Sequence, residues 1–108
     1  MYKVLLITRP NHDITTRYLS SWSSKIIDIA SRKGVKVLDL KGSRANSLEL
    51  TKMIKRQEPL LIVLNGHGNP STVTGCDNKP LITVTDNAGL LKDRVVYALS
   101  AVPLENWV

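Results

Sequence analysis

The chain has 108 residues, 43% of them hydrophobic and 22% charged, with a formal net charge of +6. That length argues for one domain spanning 1–108, and the composition argues against a disordered chain. No apolar run approaches the roughly 18 residues of a membrane span, so no membrane association is expected. Met1–Thr8 is too short for a leader with a cleavage site. Cys76 is the one cysteine, which leaves no internal disulfide and no multi-cysteine metal site, and fits a cytoplasmic setting. The basic residues are scattered, without a run that interleaves aromatics. A solvated surface is therefore expected ahead of nucleic-acid binding, which stays as a lesser alternative.

Residues 2–8 form a continuous apolar run that reads as a strand buried on both faces. Arg9-Pro10-Asn11 stops it, and Asp13 caps a helix. Ile14, Tyr18, Trp22, Ile26 and Ala30, flanked by Leu19 and Ile27, make an apolar stripe along that helix, which Gly34 ends. Val35–Leu40 is a second strand. Asn46 with Glu49 resembles a capping box for a helix that buries Leu50, Met53 and Ile54 and stops before Pro59. Leu60–Leu64 is a third strand. Ser71–Thr74 and Leu81–Val84, joined by the turn Gly75-Cys76-Asp77-Asn78, read as a hairpin outside the main sheet. Thr85 or Asp86 caps a short helix to about Lys92, Val95–Leu99 is a fourth strand, and 102–108 is irregular. The alternation implies a three-layer α/β/α fold with a mostly parallel sheet in the order 2-1-3-4.

Ligands of such sheets bind beyond the carboxyl ends of the strands. The exits there are Arg9-Pro10-Asn11-His12, Asn65-Gly66-His67-Gly68-Asn69 and Ser100-Ala101-Val102. His67 stands between two glycines, which permit close approach of a ligand or another chain, and an imidazole suits acid–base work near neutral pH. Arg9, Asn65, Gly66 and Gly68 are the candidate binding residues at this edge. His12 reads as a solvated residue before the helix cap. His12, His67 and Asp77 are conceivable metal ligands, but no tight ligand spacing joins them, so no metal is assigned. No glycine-rich phosphate loop follows the first strand, and no cofactor is expected.

Strand, Asn65-Gly66-His67-Gly68, hairpin, short helix and a strand ending Ala98-Leu99-Ser100-Ala101 together resemble the caspase-like fold of cysteine peptidases, in its CHAT, clostripain and gingipain branches. The resemblance covers nearly the whole chain but only the first half of such a family domain. It implies His67 as the catalytic base and places the nucleophilic cysteine at Val102, a residue that cannot attack a carbonyl. A truncated descendant, one part of a larger protein and a non-catalytic domain that keeps the fold all remain open. Cys76, in the hairpin turn, reads as an incidental turn cysteine. The expected function is a non-catalytic caspase-like binding or assembly module. It forms a homodimer, or meets a larger protein partner, through the fourth strand or the apolar tail with Leu104 and Trp107. The alternatives are a fragment of an active cysteine peptidase whose cysteine half is missing, and a basic nucleic-acid-binding domain.

Overall fold

The computed structural model describes residues 3–69, 72–83 and 87–100. In chain order the elements are β1 (Val4–Arg9), α1 (Ile14–Arg32), β2 (Lys36–Lys41), α2 (Ser47–Gln57), β3 (Leu61–Gly66), β4 (Gly68–Asn69), β5 (Thr72–Thr74), β6 (Pro80–Thr83) and β7 (Val95–Ser100). Single 3-10 turns stand at Gly42–Arg44, Cys76–Asn78 and Ala88–Leu91. Four parallel strands form the main sheet in the order β2-β1-β3-β7. This is the predicted order, with the predicted fourth strand as β7.

Successive side chains of a strand point to opposite faces, and both faces of this sheet are covered near β1. Leu5, Ile7 and Val63 pack against Ile26, Ile27 and Ala30 of α1. Leu6, Leu40, Ile62 and Leu64 pack against Leu50 and Ile54 of α2 on the other face, together with Leu81 and Ile82 of β6. The helix starts are set by side chains. Asp13 Oδ1 accepts from the Thr16 amide at 2.8 Å, and Asn46 Oδ1 accepts from the Glu49 amide at 2.8 Å. α2 ends at Gln57, where Glu58 takes a left-handed conformation before Pro59.

The apolar stripe predicted for α1 is only half used. Ile26, Ile27 and Ala30 meet the sheet, but Ile14, Tyr18 and Trp22 are exposed. Thr16, Ser20 and Ser23 are buried in their place. The cause lies beneath the helix. The Arg9 guanidinium donates to the Ser20 carbonyl, so a polar layer sits where bulky side chains were expected.

The predicted hairpin is part of a three-stranded antiparallel sheet, β4-β5-β6, with Gly68 opposite Val73 and Val73 opposite Ile82. The short helix predicted before the fourth strand is a 3-10 turn in its described part. Asn87 ties this turn back to β6: its Oδ1 accepts from the Thr83 amide and its Nδ2 donates to the Leu81 carbonyl, both at 2.8 Å. Ser71, Val84, Thr85 and Asp86 lie outside the described residues, as do Val102, Leu104 and Trp107 of the tail.

Candidate functional site

β1 and β3 are neighbours in the sheet, so their exits leave side by side at its carboxyl end. The two histidines that the sequence sets 55 positions apart meet there, with ring centroids separated by 6.1 Å. Asp13 joins them. Its Oδ2 accepts from His67 Nε2 at 2.7 Å and lies 3.6 Å from His12 Nε2. One ligating atom from each of His12, Asp13 and His67 falls within 4.8 Å of the others. All three residues are partly buried.

Each member is held from behind. Asp13 is the N-cap of α1, in a reciprocal capping box with Thr16. Hydrogen bonds, first from the Thr16 amide and then from His67, hold its carboxyl well below the usual carboxylate range, against the opposing effect of burial. An ionised carboxylate can only accept, so His67 Nε2 carries the proton in this pair. The His67 carbonyl accepts from the Thr74 amide at 2.8 Å and from Thr74 Oγ1 at 2.9 Å, which pins the turn to β5. Pro10, just before the His12 loop, is buried. His12 Nε2 donates to Asn78 Oδ1 at 3.1 Å, so the hairpin turn reaches over this edge.

The other predicted site residues have structural tasks. The Arg9 guanidinium grips Asp39 of β2 through two nitrogens, Nε at 2.8 Å, and is itself almost fully buried. Asn65 is fully buried and joins β3 to β1: its amide donates to Thr8 Oγ1 at 3.2 Å and its Nδ2 to the Thr8 carbonyl at 2.9 Å. A Cβ on Gly66 would stand 2.3 Å from the Thr74 carbonyl oxygen, so this glycine admits the protein's own β5. Gly68 pairs with Val73 across the hairpin. Asp77, considered with the histidines, is exposed on the turn, and Asp13 occupies the third position instead. Asp13 carried a signal in sequence as a helix cap only. Its second carboxylate oxygen, free to face another loop, is what that reading left out.

Val102 lies outside the described residues. β7 runs parallel to β3 with Ser100 opposite Gly66, so the strand before Val102 ends beside the His67 turn. The Cys76 amide donates to the Ala45 carbonyl at 2.7 Å. Burial, with the neighbouring Asp77 charge, pushes the Cys76 thiol up, which keeps it a thiol and a poor nucleophile. Compared with known proteins, the chain matches no protein-family model, no curated protein and no solved structure.

Proposed function

We propose that the chain is a non-catalytic, caspase-like domain related to cysteine peptidases, and that it acts as an assembly module in which two copies pair along β7. The observation that carries this reading is the contrast between the two edges of the main sheet. Unpaired edge strands invite further strands, and charged side chains discourage them. β2 bears Lys36, Asp39 and Lys41. β7 reads Val-Val-Tyr-Ala-Leu-Ser, without a charge.

The face of β7 points the same way. Val95 and Tyr97 stand opposite Leu61 and Val63, on the α1 side of the sheet, yet they are 64% and 63% exposed. α1 does not reach them. Ile29, Leu60 and Leu61 continue the apolar surface from that helix toward β7. A two-fold axis beside β7 makes the edge self-complementary, because the strand then meets its own copy antiparallel. Two four-stranded sheets join into one continuous sheet, and Val95 and Tyr97 of each copy meet across the axis.

The caspase-like resemblance gains support from the parallel neighbours β3 and β7, with the His-Gly turn and the β7 exit at one edge. Valine at position 102 and a raised thiol at Cys76 support the non-catalytic reading. Sedimentation equilibrium of the purified chain over a range of concentrations tests the proposal. A dimer is expected for the wild type and a monomer for Tyr97→Lys, with unchanged far-ultraviolet circular dichroism. A wild-type chain that stays monomeric at high concentration refutes it.

A further inference from the structure

The geometry of the β1 and β3 exits points to a mononuclear site for a late first-row divalent metal ion of the zinc class, held by His12, Asp13 and His67. The inference is independent of pairing along β7.

Two imidazoles and one carboxylate are a donor set that suits zinc and its neighbours, whereas magnesium and calcium call for oxygen ligands throughout. With ligand bonds near 2.0–2.1 Å, tetrahedral coordination sets the donor atoms about 3.3 Å apart. The separations from Asp13 Oδ2 are 2.7 Å to His67 Nε2 and 3.6 Å to His12 Nε2, on either side of that value. Side-chain shifts of about 0.6 Å or less bring both onto it.

The donors come from two loops whose backbones are fixed independently. Asp13 Oδ1 is engaged with the Thr16 amide and hydroxyl, which leaves Oδ2 directed at the two rings. The His67 carbonyl is bound to Thr74 on the far side of its turn. The ion takes the place of the Nε2 protons that join His67 to Asp13 and His12 to Asn78, and each neutral ring then carries its proton on Nδ1. The His12 side chain is only 13% exposed, and its Nδ1 is buried without a hydrogen-bond partner among the described residues. No lysine or arginine forms an ion pair with Asp13 among the described residues. A divalent ion supplies the positive charge that the carboxylate lacks. Asp13 and His67 are 37% and 31% exposed, so one side of the cluster is open for entry and for a water in the fourth position.

The chain, stripped with a chelator and dialysed, is titrated with Zn2+ against a chromogenic competitor, and with Co2+ followed by visible absorption. One equivalent of either ion is expected, with the intense d–d bands of four-coordinate cobalt. His12→Gln, His67→Gln and Asp13→Asn each weaken binding at least about tenfold, while Asp77→Asn leaves it unchanged. Asp13→Asn keeps an oxygen for the helix cap and so preserves the fold. A wild-type measurement needs no variant: the imidazole 15N signals of both histidines shift together and saturate at one equivalent of Zn2+. Failure to take up an equivalent at micromolar free ion, binding indifferent to these three substitutions, or unshifted imidazole signals would each overturn the inference.

Discussion

Replacing Gly66 with alanine places a methyl group where the hairpin touches the main sheet. Its Cβ falls 2.3 Å from the Thr74 carbonyl oxygen and 3.3 Å from the carbonyl carbon, against ordinary contacts of 3.4 Å or more. Thr74 cannot withdraw freely, because its amide and hydroxyl both donate to the His67 carbonyl. Relief requires parting β5 from the β3 exit. Overpacking costs about 1–3 kcal/mol, and each weakened hydrogen bond adds about 1 kcal/mol. A loss of about 3 kcal/mol is expected, which is large against a total stability of about 5–15 kcal/mol. In thermal terms this is a fall of about 10–20 °C. Gly89→Ala is the control: its Cβ meets nothing within 4 Å, and its φ is not positive. That variant stays within about 0.5 kcal/mol of the wild type. Urea unfolding followed by circular dichroism measures both. Gly66→Ala within about 0.5 kcal/mol of Gly89→Ala would show that the close approach of β5 does not explain this glycine.

Asp13→Ala, which removes the cap of α1, is expected to cost about 1 kcal/mol more than Asp13→Asn in urea melts with chelator present; equal losses would deny the capping role. Because the Asp13 carboxyl is held below its ordinary value of 3.8, its ionised form adds stability that is full above that pH and declines as the pH falls below it. The advantage of wild type over Asp13→Asn therefore shrinks in acid, and a constant advantage down to pH 2 contradicts the assignment. Arg9→Met leaves Asp39 without its partner. Asp39 keeps 31% exposure, so the cost is about 2 kcal/mol, below the range for a fully buried pair, and a double-mutant cycle with Asp39→Asn reads the coupling. Cys76 alkylates with iodoacetamide at neutral pH more slowly in the folded chain than in urea; equal or faster labelling would contradict its raised thiol.

The apolar runs of β1 and β3 were legible as strands because burial on both faces removes polar residues from them, and the edge strands β2 and β7 were legible from the β-branched residues at their starts. The caps at Asp13 and Asn46 were legible because capping is local, within three residues. The face of α1 was not. Periodicity reports that a stripe exists, but the buried Arg9 donates to the Ser20 carbonyl beneath the helix, where Thr16, Ser20 and Ser23 are buried, which leaves Tyr18 and Trp22 outward. The Arg9–Asp39 pair joins neighbouring strands, and only the register, with Ile7 opposite Asp39, sets the carboxylate one step below the guanidinium on the same face. The convergence of His12 and Asp13 on His67 needs two loops to leave adjacent strands at one height. Sequence spacing carries none of that: Asp77, nearer to His67 along the chain, is exposed on the turn, and Asp13 is the carboxylate that joins the two rings.

Amide hydrogen exchange of β7, resolved by residue at low and at high protein concentration, tests pairing along this edge most directly. Alternate amides of Val95–Ser100 face β3 and are protected within the ladder, while the others face outward. The account predicts that the outward amides gain protection as concentration rises and lose it in Tyr97→Lys. Outward amides that exchange at the rate of exposed backbone at every concentration would contradict it.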